Sequence, residues 1–93
     1  MKEARAGVDV RAEGRVQGVG YRYFVLEQAL ALGITGWVRN RPDGQVEAEA
    51  EGLRPVLEAW LKLLARGPLM ARVAHLQFDW RPADRGFTSF EIR

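Results

Sequence analysis

The sequence predicts an α+β fold in which two helices cover one face of an antiparallel sheet. In several short segments the apolar residues recur at every second position, which is typical of half-buried strands. In two longer segments they recur at helical spacing instead. The predicted order is strand, helix, strand, strand, helix, strand, followed by a short extra strand. Two split strand–helix–strand units with right-handed crossovers bring both helices to the same face of the sheet.

The first half of the chain is predicted to form a strand, a helix and a hairpin. The glycine-rich stretch 14–20 separates the first strand from the helix and predicts a loop. Gly33 suits the C-terminal cap of that helix, and Asp43-Gly44 predicts the hairpin turn. The predicted elements are a strand over residues 6–13, a helix over 21–32, a strand over 34–40 and a strand over 46–51.

The second half is predicted to form a helix and two strands. A helix over 53–66 ends at Gly67-Pro68. Alternation then predicts a fourth strand over 74–81 and, after a turn, a short last strand over 87–92.

The complete order is that of the ferredoxin-like sandwich, βαββαβ with a short extra C-terminal strand, and we expect one domain over residues 1–93. Glu47, Glu49 and Glu51 are predicted to form a solvated face of the third strand. The last strand is expected to run antiparallel to the fourth. Because this fold carries many unrelated functions, it does not decide the function.

The composition excludes several kinds of chemistry. The chain has no cysteine, one histidine (His75) and one serine (Ser89), so a Ser-His-Asp triad and a Cys- or His-based metal site lack their residues. We therefore expect no metal and no cofactor. The net charge is only +2, without a basic run, and neither a leader nor a membrane span is visible. A cytoplasmic protein without nucleic-acid or membrane partners is expected.

The glycine-rich loop is a candidate anion site. Glycines permit positive φ and let a ligand approach the backbone amides, and the following helix adds its own N-terminal amides. Arg22 lies in the first turn of that helix, where a cation is unfavourable unless an anion is bound nearby. The spacing alone also fits a plain glycine turn beside a surface arginine. Asn40, the single asparagine, taken alone fits a turn residue before a hairpin.

Two motifs resemble those of the acylphosphatase family. The first is the run Gly14-Arg15-Val16-Gln17-Gly18-Val19-Gly20-Tyr21-Arg22, and the second is Gly36-Trp37-Val38-Arg39-Asn40 followed by Asp43-Gly44. The resemblance covers nearly the whole chain and includes the ending at residues 87–92. Tyr21 stands where many members have Phe, and Arg41 stands where animal members often have Thr. The same signature also occurs as a domain of larger hydrogenase-maturation proteins, but a free-standing enzyme is expected here.

This resemblance implies a metal-independent hydrolase of the carboxyl–phosphate anhydride in acyl phosphates. It implies Arg22 and Asn40 as catalytic residues, with Asn40 placing the attacking water. It also implies a phosphate-binding loop formed by the backbone of Arg15, Val16, Gln17, Gly18, Val19 and Gly20. The expected partners are a small-molecule acyl phosphate and inorganic phosphate, which is the product and a competitive ligand. We expect a monomer.

The topology supports the pairing of the two motifs independently. The first two strands of a split βαβ unit run parallel, so the loop and Asn40 meet at one sheet edge, roughly 10 Å apart with one strand between them. The terminal carboxylate of Arg93 could reach the same edge and pair with Arg22; the alternative is a frayed chain end. The alternative function is a ferredoxin-like nucleic-acid- or small-molecule-binding module. The acidic third strand disfavours nucleic acid.

Overall fold

The computed structural model describes residues 4–93 and contains a five-stranded sheet with two helices. The strand order across the sheet is β4-β1-β3-β2-β5. The elements are β1 (Arg5–Arg15), α1 (Tyr21–Leu32), β2 (Thr35–Asn40), β3 (Val46–Leu53), α2 (Arg54–Arg66), β4 (Arg72–Arg81) and β5 (Phe90–Ile92). The predicted order and the ferredoxin-like architecture are confirmed.

Alternation along β1 places its apolar residues on the face that the helices cover. Val8 and Val10 are buried there, and Val10 lies opposite Ala48 of β3, which lies opposite Val38 of β2. Residues directly opposite each other in a ladder share a face, so this row forms the floor of the core. Leu57, Trp60 and Leu64 of α2 pack onto it as part of the same buried cluster.

Two hydrogen bonds fix the helices against each other. The hydroxyl of Tyr21, at the start of α1, donates to the carbonyl of Leu64 in α2 at 2.8 Å. In return, Trp60 Nε1 of α2 donates to the carbonyl of Val25 in α1 at 3.4 Å. Burial raises the pKa of the Tyr21 phenol, so the hydroxyl keeps its proton and remains a donor. The start of α1 therefore has a fixed position.

The last strand corrects two expectations about the edge of the sheet. It was expected over 87–92, but β5 spans only Phe90–Ile92. Its direction is antiparallel to β4, as expected, yet β5 pairs in parallel with β2 at the opposite edge, so the sheet is mixed. In this position Phe90 is buried and packs edge-on against Trp60 of α2, with ring centroids 5.9 Å apart.

The prediction of a solvated acidic face is wrong for Glu51, which is only 2% exposed. Arg81 of β4 donates to its carboxylate at 3.1 Å, and the backbone amides of Arg85 and Gly86 donate at 2.8 and 3.2 Å. Burial opposes ionisation of Glu51, but these donors outweigh it and lower its pKa. Glu51 thus fastens the β4–β5 connection to the sheet.

Candidate active site

The glycine-rich loop turns the chain from β1 into α1 with an open backbone. Gly18 and Gly20 have φ of 72° and 80°, in the left-handed region, and a Cβ built on either residue would meet no atom within 4 Å. Val16, only 1% exposed, anchors the loop in the core. The loop therefore combines a fixed start with a backbone that solvent and small ligands can approach.

The backbone amides of this loop and of the first turn of α1 are available as hydrogen-bond donors. Gly20 caps α1 without a side-chain hydrogen bond. Within residues 4–93, none of the backbone N–H groups of residues 17–23 donates to a protein acceptor. The first amides of a helix also carry its partial positive charge. A run of free donors at a helix N-terminus is the geometry that binds phosphate in many proteins.

Arg22 adds a guanidinium to the same turn. It is half-buried, and no carboxylate of the described residues lies within the 4.0 Å of an ion pair. The expected pair with the terminal carboxylate of Arg93 is not formed. The guanidinium of Arg93 instead pairs with Glu91 at 3.1 Å and stacks on Trp37. Arg22 is thus a cation at the positive end of a helix, without a compensating charge in the described chain.

Asn40 ends β2 on the helix-covered face, at the edge where the loop lies. It lies opposite Val46 of β3, which lies opposite Ala12 of β1, so the three residues form one row across the sheet. Ala12 is three residues before the end of β1, after which the loop begins. The topological expectation that places Asn40 and the loop at one edge, with β3 between them, is therefore met.

The side-chain oxygen of Asn40 is a buried acceptor without a partner in residues 4–93. Burying an amide oxygen without a hydrogen bond costs about 1–3 kcal/mol, and the side-chain oxygen of Gln45, in the adjacent turn, is a second acceptor of this kind. An acceptor of this kind can receive a hydrogen bond from a water molecule at the site. The alternative interpretation of Asn40, as a turn residue before the hairpin, does not require a buried oxygen without a partner.

Gln17 connects the loop to the neighbouring turn, and the sequence interpretation did not identify this role. Its Nε2 donates to the carbonyls of Arg41 and Gln45 at 2.8 and 2.9 Å. These two residues begin and end the turn that follows Asn40. The available signal in the sequence was a glutamine inside a glycine-rich loop. Its side-chain amide carries two N–H donors, which a loop that needs only flexibility does not require.

The β2–β3 turn is held by its own charges. Asp43 accepts from the Gln45 amide and from Arg41, both at 3.0 Å, and Arg41 also reaches Glu47. The hydrogen bond from Gln45 contributes most to lowering the pKa of Asp43. The hydrogen bond to Asp43 contributes most to raising the pKa of Arg41. Both groups stay charged near neutral pH, so the turn is kept in one conformation beside Asn40.

The other titratable side chains offer no metal site in the described part of the chain. His75 is exposed on β4, and within the described part of the chain no three His, Asp or Glu side chains are arranged to hold a metal ion. No helix in residues 4–93 is long and apolar enough to cross a membrane. The candidate site therefore presents backbone amides, one guanidinium and one carboxamide.

Fold and site together define a class: a ferredoxin-like α/β sandwich with a glycine-rich loop between its first strand and helix. The family model described as acylphosphatase matches residues 8–92. The chain therefore belongs to the acylphosphatase family, which hydrolyses acyl phosphates. The function predicted from the sequence is confirmed at this level, and the alternative of a nucleic-acid- or small-molecule-binding module is not favoured.

Individual relatives agree with this assignment. The acylphosphatase of Syntrophotalea carbinolica is 48% identical over 93 residues, covering 100% of this chain and 99% of that protein. The acylphosphatase of Thermus thermophilus is 50% identical over 80 residues, covering 86% and 90%. The crystal structure of acylphosphatase from Bacillus subtilis superposes with a TM-score of 0.92 at 34% identity, covering 95% of this chain and 98% of that one.

Proposed function

We propose that this chain hydrolyses acyl phosphates with the phosphoryl group held by Arg22 and by the backbone amides of the loop 15–20. The observation that carries this proposal is the run of free amides at residues 17–23 beside a guanidinium without an ion pair. A phosphoryl group would satisfy these donors and would neutralise the cation. The planar guanidinium can bond two oxygens at once, which suits a phosphate better than an ammonium group does.

Asn40 is proposed to position the attacking water. Its unpartnered Oδ1 supports this role, because a carboxamide oxygen accepts one hydrogen of a water and so aims its lone pair. An acyl phosphate is an activated anhydride, so stabilising charge on the phosphoryl oxygens and orienting the water supply most of what catalysis requires. A phosphate oxygen of the substrate takes the proton of the water, since no side-chain base is assigned.

Several finer points of the proposal follow from this chemistry. No step calls for a metal ion or a cofactor. Inorganic phosphate, the product, fits the same donors and is expected to compete with substrate. A single domain over residues 1–93 acting as a monomer, and a cytoplasmic location, stay predictions from the sequence.

The test compares Arg22→Ala, Arg22→Lys and Asn40→Ala by phosphate release from acetyl phosphate. Both Arg22 variants should lose competitive inhibition by inorganic phosphate, with Lys rescuing poorly because it lacks the planar fork. Asn40→Ala should lower kcat about 100- to 1,000-fold, the loss typical of one preorganised catalytic hydrogen bond, while inorganic phosphate still inhibits. Arg5→Ala, which removes an exposed arginine at the far end of β1, serves as the control.

Two outcomes would contradict the assigned roles. Near-normal turnover in Arg22→Ala would show that the phosphoryl group binds elsewhere. A large loss of phosphate inhibition in Asn40→Ala, with kcat unchanged, would show that Asn40 binds phosphate and does not position water.

A further inference from the structure

A cavity of about 360 Å³ lies beside the phosphate loop and has no role in the mechanism above. It is lined by Arg15, the last residue of β1, and by the segment 69–72 that connects α2 to β4. Arg15 also begins the loop 15–20. Because Arg15 belongs to both, the cavity adjoins the loop in which the phosphoryl group is proposed to bind.

The α2–β4 connection is packed against the turn that carries Arg22. Gly67, with φ of 72°, lies so near Tyr21 that a Cβ built on it would be 3.5 Å from Tyr21 Cε1. Tyr21 in turn bonds the Leu64 carbonyl near the end of α2. The amide of Ala71 closes the connection by donating to the carbonyl of Pro68 at 3.0 Å. The position of the cavity relative to the first turn of α1 is thus fixed.

The tip of this closed turn is apolar and exposed. Leu69 is 97% exposed and Met70 is 62% exposed. Tight turns normally carry Gly, Pro, Asn, Asp or Ser. Leu69 and Met70 depart from this preference for small and polar turn residues, and they do not contribute to the core. Departures of this kind concentrate at functional positions. Their chemistry suits an aliphatic chain or an aromatic ring.

The other wall of the cavity carries two arginines. Arg15 and Arg72 lie directly opposite each other in the β1–β4 ladder, where side chains start about 5 Å apart and like charges are unfavourable. Neither forms an ion pair with a carboxylate of residues 4–93. An anionic group bound between them would relieve the repulsion.

We propose that this acyl cavity, formed by Arg15, Leu69, Met70 and Arg72, receives the acyl group of the substrate and favours acyl phosphates that end in a second anionic group. The apolar part of the acyl chain or ring lies against Leu69 and Met70, and its terminal carboxylate or phosphate lies between the arginines. This inference rests on the proposed function, because it extends the same substrate beyond the phosphate loop.

The experiment compares matched substrates: 4-methylbenzoyl phosphate, 4-carboxybenzoyl phosphate and 4-(phosphonomethyl)benzoyl phosphate. The rigid ring keeps the second anion away from the anhydride, so it cannot attack it. The wild type should show a higher kcat/KM for both anionic substrates than for the methyl compound, and the larger value identifies the preferred anion. This preference should decrease with added salt, since the arginines are exposed.

Arg72→Gln should lower the anionic-to-neutral ratio about five-fold, the upper end for an exposed ion pair, and Arg72→Glu should lower it further. Arg5→Gln, which removes the same charge at the other end of β1, should leave the ratio unchanged. Leu69→Ser should lower kcat/KM for all three benzoyl substrates relative to acetyl phosphate.

An unchanged ratio in both Arg72 variants, with normal hydrolysis of acetyl phosphate, would overturn the acyl cavity and leave the proposed function standing. If the wild type releases phosphate from none of the four substrates, the proposed function is overturned, and the acyl cavity with it.

Discussion

Replacing Gln17 with Leu removes the connection between the phosphate loop and the turn beside Asn40. Leu keeps nearly the same volume and adds no charge, but it lacks the Nε2 that donates to the carbonyls of Arg41 and Gln45. Each of these carbonyls retains a second donor. The Gln45 carbonyl accepts from the Arg41 amide at 2.8 Å, and the Arg41 carbonyl accepts from the Gly44 amide at 3.2 Å. The cost is therefore that of two lost hydrogen bonds without an orphaned acceptor.

At about 0.5–1.5 kcal/mol for each bond, Gln17→Leu should lower the free energy of unfolding by about 1–3 kcal/mol. For a domain of this size each kcal/mol shifts Tm by about 4–8 °C. Thermal and urea unfolding measure the loss. The two bonds also hold the loop against the turn beside Asn40. Their loss should displace these groups from each other and raise the activation free energy by roughly 1.4 kcal/mol, which lowers kcat on acetyl phosphate about ten-fold.

The control for this variant is Gln28→Leu, a half-buried glutamine of α1 for which no side-chain hydrogen bond is formed within the described chain. Equal Tm and equal kcat in the two variants would refute the role of Gln17. A loss of stability with kcat unchanged would show that Gln17 is structural only.

Two further predictions concern the chemistry and the pH dependence of the protein. Hydrolysis of acetyl phosphate should continue in EDTA at its normal rate, and a loss that a divalent ion restores would contradict the proposed mechanism. Glu51→Gln should cost about 1–3 kcal/mol of stability at pH 7, because Arg81 and the amides of Arg85 and Gly86 lose a charged acceptor. Since folding lowers the pKa of Glu51 below 4.5, its stabilising contribution is present above that pH and is lost as the pH falls through the lower value. Unfolding measured from pH 7 to pH 3 should therefore show a smaller decrease in Glu51→Gln than in the wild type, and parallel curves would contradict this assignment.

The sequence was informative wherever the signal was local. Period-two alternation in β1 and β3, helical spacing in α1 and α2, and glycines at both ends of α1 predicted elements that the structure contains. The shared edge of the loop and Asn40 followed from topology alone, because both strands of a split βαβ unit point the same way. Neither step required knowledge of side-chain positions.

Expectations failed where distant segments decide the outcome. The alternation of β3 puts Glu51 on the polar face, but its burial depends on Arg81 and on the amides of Arg85 and Gly86, which are 30, 34 and 35 positions away in the chain. The pairing of β5 depends on Phe90 reaching Trp60. The Gln17 contacts join residues 24 and 28 positions apart. A periodic pattern contains no information about such partners.

The position of β1 inside the sheet, between β4 and β3, has a consequence for how the chain folds. Its neighbours in the sheet are β3 and β4, and the hydrogen bond from Arg81 to Asp9 joins residues 72 positions apart. A strand made first thus obtains its second neighbour only after most of the chain has been synthesised. Closing so long a loop costs entropy before the contact repays it, so folding should be slow for a protein of this length. Until β4 arrives, one side of β1 remains an open template for pairing with other chains.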